Sequence, residues 1–224
     1  MKAIYKTAGL AKEYNEYAIN IYTGCPHKCF YCSVMKKVGP EFCTNIKVRD
    51  GLIESLSRQI ESGAYKGEKI HLCFTCDPYP TGYDSTPTRT VIKMLKDGGY
   101  SVQILTKGDG RRDFDLLDSN DWYGVTIDGR SDELLSHLEE AHSKGIKTWI
   151  SFEPVIEPDV IPDMIRRAAK IGVDRVKIGK LNYMTTPKLE NFDWKTFGFE
   201  IESLCKSLNI DYHIKSSLRD EMNK

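Results

Sequence analysis

Three cysteines at C-x3-C-x2-C spacing, Cys25, Cys29 and Cys32, are the residues of this chain best suited to chemistry. Iron–sulfur clusters are held by cysteine thiolates, and a closed electron carrier normally has a full set of them. Three thiolates can hold three irons of a cubane and leave the fourth iron open to bind a substrate or cofactor. The spacing also permits a zinc site of three cysteines and one histidine, in which His27 is the fourth ligand.

The cysteine motif, with the aromatic Tyr31 directly before its last cysteine, resembles the signature of the radical S-adenosylmethionine (SAM) enzymes. The resemblance implies a [4Fe-4S] cluster on Cys25, Cys29 and Cys32, with SAM chelating the open iron. It also implies reductive cleavage of SAM to methionine and a 5′-deoxyadenosyl radical that abstracts hydrogen from a substrate. In that family the aromatic side chain at the Tyr31 position lies near the adenine. A flavodoxin or ferredoxin-type protein would donate the electron.

Further phrases resemble the spore photoproduct lyase-like branch of that family, at residues 22–25, 75–79, 104–108 and 153–156. In the lyase, the adenosyl radical takes a hydrogen from a fused thymine dimer and a cysteine returns one. The resemblance therefore implies a nucleic-acid base or nucleotide as substrate, with Cys76 and Tyr31 as catalytic candidates and Tyr79 as another aromatic contact. A peptide or small metabolite is the alternative substrate. A non-catalytic iron–sulfur sensor or binding module is the alternative class.

Composition limits the function classes. Among 224 residues, Lys+Arg and Asp+Glu both number 32, so the formal net charge is zero and no global field attracts nucleic acid. Lys107, Arg111 and Arg112 form the one compact basic group in the sequence. No apolar run reaches the roughly 18 residues of a membrane span, and the N-terminus lacks a secretion signal. Seven cysteines without a disulfide pattern are typical of reduced thiols. We therefore expect a cytoplasmic protein with no membrane association.

Apolar strand-like runs alternate with amphipathic helical segments, which predicts an α/β fold of six βα units around parallel strands. The predicted strands are residues 17–22, 69–75, 101–106, 122–127, 147–152 and 175–178. The predicted helices are residues 48–62, 88–96, 159–171 and 194–208. A short helix is predicted near 114–117, and another is capped by Ser131 or Asp132 and ends at 144. The family resemblance implies a partial (β/α)6 TIM-type barrel. We expect one domain over 1–224, with its core at about 15–208 and a C-terminal extension at 209–224 that ends in a polar tail.

Active sites of barrels lie at the carboxyl ends of the strands, where this chain has polar residues. The resemblance implies that Thr75, Cys76 and Asp77, after the second strand, bind the SAM amino group, and an ammonium needs such acceptors. The alternative for Asp77 is that it caps the following turn. Lys107 ends the third strand and is a candidate partner of the SAM carboxylate. The alternative for Lys107 is a surface lysine on the barrel rim.

Three later strand ends add Asp128, Glu153 and Lys180 to the candidate cofactor-binding residues. Glu153 follows an apolar strand and precedes proline, which places its carboxylate at the mouth of the barrel. It could accept a hydrogen bond from a ribose hydroxyl or contact substrate. The alternative is a structural ion pair with Lys180, Arg130 or Lys177.

The other cysteines have simpler explanations. Cys73 and Cys76 form a second C-x2-C, but residues three apart on a strand point to opposite faces unless the strand ends between them. We therefore interpret Cys73 as a core residue. Cys43 and Cys205 have no partner at ligand spacing. The segment 26–47 is long for a connection, which favours a functional loop.

Overall fold

The computed structural model describes residues 2–128, 133–182 and 184–224. These residues form two compact units, Met1–Tyr123 (unit 1) and Gly124–Lys224 (unit 2). That the whole chain is a single domain stays a prediction. No helix in the described ranges is both long enough and apolar enough to cross a membrane.

Unit 1 is built on four strands, which are β1 (Ile4–Lys6), β2 (Tyr17–Ile19), β3 (Lys69–Leu72) and β4 (Ser101–Thr106). Strand β3 pairs in parallel with β2 and with β4, in a register that aligns His71 with Ala18 and with Gln103. Strand β1 pairs antiparallel with β2. Because neighbouring parallel strands end at the same edge of a sheet, the segments that follow β2, β3 and β4 meet there.

The helices of unit 1 are α1 (Ser33–Val38), α2 (Leu52–Glu61) and α3 (Thr86–Asp97), with 3-10 turns at Gly9–Glu13, Pro40–Cys43 and Arg111–Leu116. Apolar residues at helical spacing bury one face of α2 and of α3, for example Leu52 and Leu56 on α2 and Val91 and Leu95 on α3. They belong to the same buried core as the strand residues Ile19, Ile70, Leu72 and Ile104. Pro87 lies in the first turn of α3, where its missing N–H costs nothing.

Unit 2 contains β6 (Lys147–Val155), β7 (Arg175–Lys180) and β8 (Asp211–Ile214), and strand β5 (Trp122–Thr126) crosses the boundary between the units. Strand β7 pairs in parallel with β6 and with β8. The helices are α4 (Leu134–Ser143), α5 (Ile161–Lys170), α6 (Trp194–Ser207) and α7 (Ser216–Met222), with a 3-10 turn at Pro158–Val160. A Cβ atom on Gly124 would lie 2.1 Å from Trp149 Nε1, so only glycine lets this buried indole pack against the strand.

Several predicted boundaries are corrected by the structure. The third strand is confirmed at 101–106, whereas the second ends at Leu72 because Cys73 adopts a φ of 69° that extended backbone cannot have. Strands β6 and β7 continue two or three residues beyond their predicted ends. The antiparallel strand β1 and the helix α1 inside segment 26–47 were not predicted. The proposed cap at Ser131 or Asp132 lies outside the described residues.

The prediction of a polar C-terminal tail is wrong. Residues 216–222 form α7, whose Leu218 and Met222 are buried one helical turn apart. A Cβ atom on Gly198 of α6 would lie 2.5 Å from Met222 Cγ, which shows how closely the two helices pack. Two apolar residues among charged neighbours are a weak sequence signal, yet at i, i+4 spacing they bury one face of a short helix.

Candidate active site

The cysteine-bearing segment is closed at its base by main-chain contacts. Tyr22 forms an isolated antiparallel bridge with Val48. The Thr23 N–H donates to the Lys47 carbonyl at 2.9 Å, and the Cys25 N–H donates to the Phe42 carbonyl at 2.9 Å. Between them, a Cβ atom on Gly24 would stand 2.6 Å from the Phe42 carbonyl oxygen, so this position requires glycine. The chain therefore returns to its starting point and fixes the backbone at Cys25.

The two later cysteines lie on a tight turn. The Cys32 N–H donates to the Cys29 carbonyl at 2.9 Å, after Lys28 with a φ of 49°. Cys32 is also the N-cap of α1, and its Sγ accepts a hydrogen bond from the Met35 N–H at 3.4 Å. Hydrogen bonds to cysteine sulfur are one way in which proteins tune cluster potentials. The turn places Cys29 and Cys32 on either side of an aromatic pair, Phe30 and Tyr31.

All three cysteines of the motif are free and partly exposed. The pKa of the Cys25 thiol is raised to about 12, mainly by burial and also by the nearby charges of Asp77, Cys29 and Cys76, against the lowering effect of a hydrogen bond from the His27 backbone. The thiol therefore keeps its proton at neutral pH until a metal replaces it. These electrostatic effects also place Asp77 and Cys76 close to the motif.

The donor set fits an iron–sulfur cluster better than a single ion. Among the described residues, no three His, Cys, Asp or Glu side chains converge in a way that could hold one metal ion. Zinc needs such convergence on one point. In a cubane each thiolate binds a different iron, so three separated sulfur atoms on one fixed loop are suitable. The zinc alternative therefore gains no support from the side chains of the described segments.

Asp77 links the cysteine loop to two strand ends. Its Oδ1 accepts hydrogen bonds from the Tyr79 N–H at 2.8 Å and the Thr106 hydroxyl at 2.5 Å, and its Oδ2 accepts one from the Lys107 N–H at 2.8 Å. His27 Nε2 lies 3.1 Å from the same Oδ2, without the alignment of a hydrogen bond. Because both oxygens are engaged and the carboxylate is buried, the geometry favours the turn-capping alternative for Asp77.

Lys107 and Tyr31 meet at the end of β4. The Lys107 ammonium lies 5.7 Å from the centre of the Tyr31 ring, within the range of a cation–π contact. Tyr31 sits between two cysteines of the motif, and Lys107 belongs to a different strand end. The structure thus brings together the residues that the sequence assigned to the adenine and to the SAM carboxylate.

Two polar residues that the sequence analysis missed shape the end of β3. The Asn20 Oδ1 accepts hydrogen bonds from the N–H groups of Phe74 at 2.8 Å and Thr75 at 3.0 Å. Arg49 donates from Nη2 to the Thr75 hydroxyl at 3.4 Å and from Nε to the Tyr22 carbonyl at 3.3 Å. Asn20 directly follows β2, so the search for polar residues at strand ends could have found it. Arg49 lies beyond the loop and gave no such signal.

The thiols of Cys73 and Cys76 interact with each other. Burial, and then a hydrogen bond with Cys76, raises the pKa of Cys73. The expectation that strand geometry directs these two side chains to opposite faces fails, because β3 ends before Cys73 and the backbone turns. Cys73 is buried, as predicted for a core residue, while Cys76 is partly exposed. The Cys76 Sγ accepts a hydrogen bond from the Tyr22 N–H at 3.4 Å, at the start of the cysteine loop.

Three candidates lie in unit 2. Glu153 forms a 2.6 Å ion pair with the buried Lys215, directly after β8, so the structural pairing is present but with a lysine that was not predicted. Lys180 pairs with Glu221 on α7. Asp128 is buried just beyond β5. Two of the partners predicted for Glu153 make other contacts. Lys177 is buried, with its ammonium 5.2 Å from the centre of the Trp149 ring, and Lys180 pairs with Glu221. Arg130 lies outside the described residues.

The model of the Radical SAM superfamily matches residues 19–179, which is more than half of the chain and includes the cysteine loop. The chain belongs to the radical SAM superfamily. The family uses a [4Fe-4S] cluster and SAM, so the predicted cofactor set is confirmed. In this radical SAM protein Cys25, Cys29 and Cys32 are the residues suited to hold the cluster.

Solved structures agree with the radical SAM fold. A spore photoproduct lyase variant with bound AdoMet and dinucleoside spore photoproduct matches with a TM-score of 0.68 and 14% identity, over 93% of this chain and 78% of that chain. Streptococcus suis SuiB bound to the precursor peptide SuiA matches with a TM-score of 0.63 and 11% identity, over 95% of this chain and 53% of that chain. At these identities the likeness shows the fold, and it confirms the predicted partial TIM-type barrel with parallel strands.

Sequence relatives extend the similarity to proteins of unassigned activity. An uncharacterized protein of Mycobacterium tuberculosis (strain ATCC 25618 / H37Rv) is 30% identical over 112 residues, which are 45% of this chain and 32% of the relative. An uncharacterized protein of Mycobacterium bovis (strain ATCC BAA-935 / AF2122/97) matches equally. The radical SAM chain thus aligns with about one third of these relatives' length.

Proposed function

We propose that this protein is a radical SAM enzyme that abstracts hydrogen from a nucleic-acid base or nucleotide. When bound, the cluster and SAM supply a 5′-deoxyadenosyl radical. The observation that carries the proposal is the meeting of Lys107 with Tyr31 inside the cysteine motif. A cation and an aromatic ring beside three free thiols are complementary to the carboxylate and adenine of a cofactor held there.

The proposal gives each candidate a role. Tyr31 contacts the adenine, Lys107 pairs with the SAM carboxylate, and the backbone near Thr75 and Cys76 accepts hydrogen bonds from the ammonium. Asp77 is a positioning residue, because its carboxylate is engaged by the turn and by the end of β4. Asp128, Glu153 and Lys180 stay sequence-based candidates for cofactor binding.

Two observations support a small nucleotide rather than a long polymer. The spore photoproduct lyase structure of similar fold contains a dinucleoside. The two arginines of the compact basic group both form ion pairs. Arg111 lies 2.6 Å from Asp109, and Arg112 lies 3.4 Å from Asp113. Neutralised arginines offer little to a phosphate backbone, whose binding depends on unpaired cations. The reaction would take place in the cytoplasm with a flavodoxin or ferredoxin-type donor.

A peptide substrate is the second candidate function. SuiB has a similar fold and its structure contains a precursor peptide. A small metabolite or a non-catalytic iron–sulfur sensor remains a further alternative from the sequence. These candidates differ in what the protein does with SAM and in which substrate gives up hydrogen.

Anaerobic reconstitution followed by dithionite and SAM tests the proposal. We expect 5′-deoxyadenosine, and we expect deuterium to enter it from a deuterated dinucleoside spore photoproduct but not from a deuterated peptide. Deuterium transfer from the peptide alone would replace the nucleotide with the peptide candidate. A brown protein that forms no 5′-deoxyadenosine would be a sensor, and a colourless protein with stoichiometric zinc would contradict the whole proposal.

Cys76 is the proposed hydrogen donor that quenches the substrate radical after fragmentation. Its thiol is partly exposed and held at the start of the cysteine loop, and an S–H bond is weak enough for this transfer. We expect Cys76→Ala to keep 5′-deoxyadenosine formation while deuterium from D2O no longer enters the repaired product. The matched control is Cys73→Ala, which removes the buried thiol beside it. Unchanged product and unchanged deuterium in Cys76→Ala would refute the role.

A further inference from the structure

The cysteine loop carries an exposed surface that the proposed chemistry does not use. Phe30 is 39% exposed and Val38 is 65% exposed, and both belong to the segment that carries the cysteine motif. Lys28, Lys36 and Lys37, between and beside them in the sequence, are exposed as well. We call these five residues the Phe30 face.

The charge of this segment differs from that of the whole chain. Residues 23–48 contain four lysines and one glutamate, whereas the complete sequence has equal numbers of basic and acidic residues. Among the described residues, Lys28 and Lys37 form no ion pair, in contrast to Arg111 and Arg112. The positive charges of Lys28 and Lys37 are therefore available to an acidic partner.

The loop has two aromatic residues with different surroundings. Phe30 and Tyr31 touch edge to face, with ring centres 5.2 Å apart and planes at 78°. Tyr31 is partly buried against Lys107 at the strand ends, whereas Phe30 is exposed to solvent. Both lie between Cys29 and Cys32. A partner on Phe30 would thus come close to the proposed cluster ligands Cys29 and Cys32.

We propose that an acidic one-electron carrier protein of the flavodoxin type docks on the Phe30 face. This inference rests on the proposed function, because it concerns the reduction of the same site. The reduced flavodoxin gives up one electron, which the oxidised cluster accepts, and the flavin ends one electron more oxidised. Lysines of the face attract the acidic partner and steer its approach. Phe30 supplies the exposed aromatic anchor on which such contacts concentrate, and redox complexes need only a small interface.

The test compares two reductants, because dithionite needs no docking surface. The variant Lys28→Glu/Lys37→Glu is matched with Lys12→Glu/Lys195→Glu, which makes the same charge change at exposed lysines elsewhere. With reduced flavodoxin at low salt, we expect 5′-deoxyadenosine formation by the first variant to fall about tenfold and the control to stay within about twofold of the unchanged protein. With dithionite all three proteins should react alike. Added salt should reduce the difference.

Flavodoxin binding is measured in parallel by calorimetry, which needs no turnover. We expect the Lys28→Glu/Lys37→Glu variant and Phe30→Ala each to bind about tenfold more weakly. The proposal would be overturned if the two double variants lost flavodoxin affinity equally. It would also be overturned if the affinity were unchanged in the Lys28→Glu/Lys37→Glu variant and in Phe30→Ala. If the lysine variant instead lost affinity for an oligonucleotide and kept its flavodoxin-driven rate, the face would be a nucleic-acid surface. Absence of 5′-deoxyadenosine with dithionite in the unchanged protein would refute the proposed function and leave the calorimetric test intact.

Discussion

Replacement of Cys29 by alanine should abolish both the brown absorbance of the reconstituted protein and its production of 5′-deoxyadenosine. Cys29 lies at the centre of the motif and on the turn that also positions Cys32. Without its thiolate one iron of the cubane loses its protein ligand, and cluster affinity depends on the full ligand set. Iron content, the visible spectrum and chromatographic detection of 5′-deoxyadenosine measure the loss, which should reach background.

Cys43→Ala is the matched control for Cys29→Ala. Cys43 lies in the same segment and is a free thiol, but it is buried beside Phe42 and outside the motif. We expect this variant to keep its iron and its activity. Persistence of colour and product in Cys29→Ala would end the cluster assignment. Loss of both in Cys43→Ala would mean that a fourth protein ligand saturates the cluster, which is incompatible with SAM on an open iron.

The second large effect concerns the stability of unit 1. Asp77→Ala should lower the free energy of unfolding of the metal-free protein by about 3 kcal/mol, since it leaves two buried donors and one partly buried donor without their acceptor. These donors are the N–H groups of Tyr79 and Lys107 and the hydroxyl of Thr106. Urea unfolding followed by circular dichroism gives the difference from the shift in midpoint.

Asp109→Ala is the control for this measurement. Asp109 lies nearby in the sequence, but its carboxylate is half exposed and pairs with the exposed Arg111. Removal of such a surface pair should cost less than about 1 kcal/mol. Equal destabilisation by the two substitutions would contradict the central role of Asp77. Asp77→Asn should recover part of the loss, because the amide oxygen still accepts hydrogen bonds.

The parts of the fold that the sequence predicted depend on local signals. Alternating apolar runs located β2 to β7 within a few residues. The cysteine motif predicted the cofactors through its resemblance to the radical SAM signature, and such a motif is itself local in sequence. Strand β1 was missed, since three residues that pair antiparallel with β2 carry no periodicity. The early end of β3 depends on the left-handed conformation of Cys73, which residue type does not favour.

The polar residues that were missed act through contacts distant in sequence. Asn20 binds the backbone beyond β3, and Lys215 neutralises Glu153. Neither partner is adjacent in sequence, so only the fold makes the pair visible. The role of Asp77 was left open for the same reason: its neighbours His27 and Thr106 come from two other segments.

The main-chain closure at the base of the cysteine loop has a consequence for cluster assembly. Because Thr23 and Cys25 are bonded to Lys47 and Phe42 through backbone groups, the ordering of this segment is a part of protein folding. The entropic cost of ordering is then already met when iron and sulfide arrive. The apoprotein accordingly presents a preformed receptor, and binding of the inorganic core requires no further ordering of this stretch of backbone.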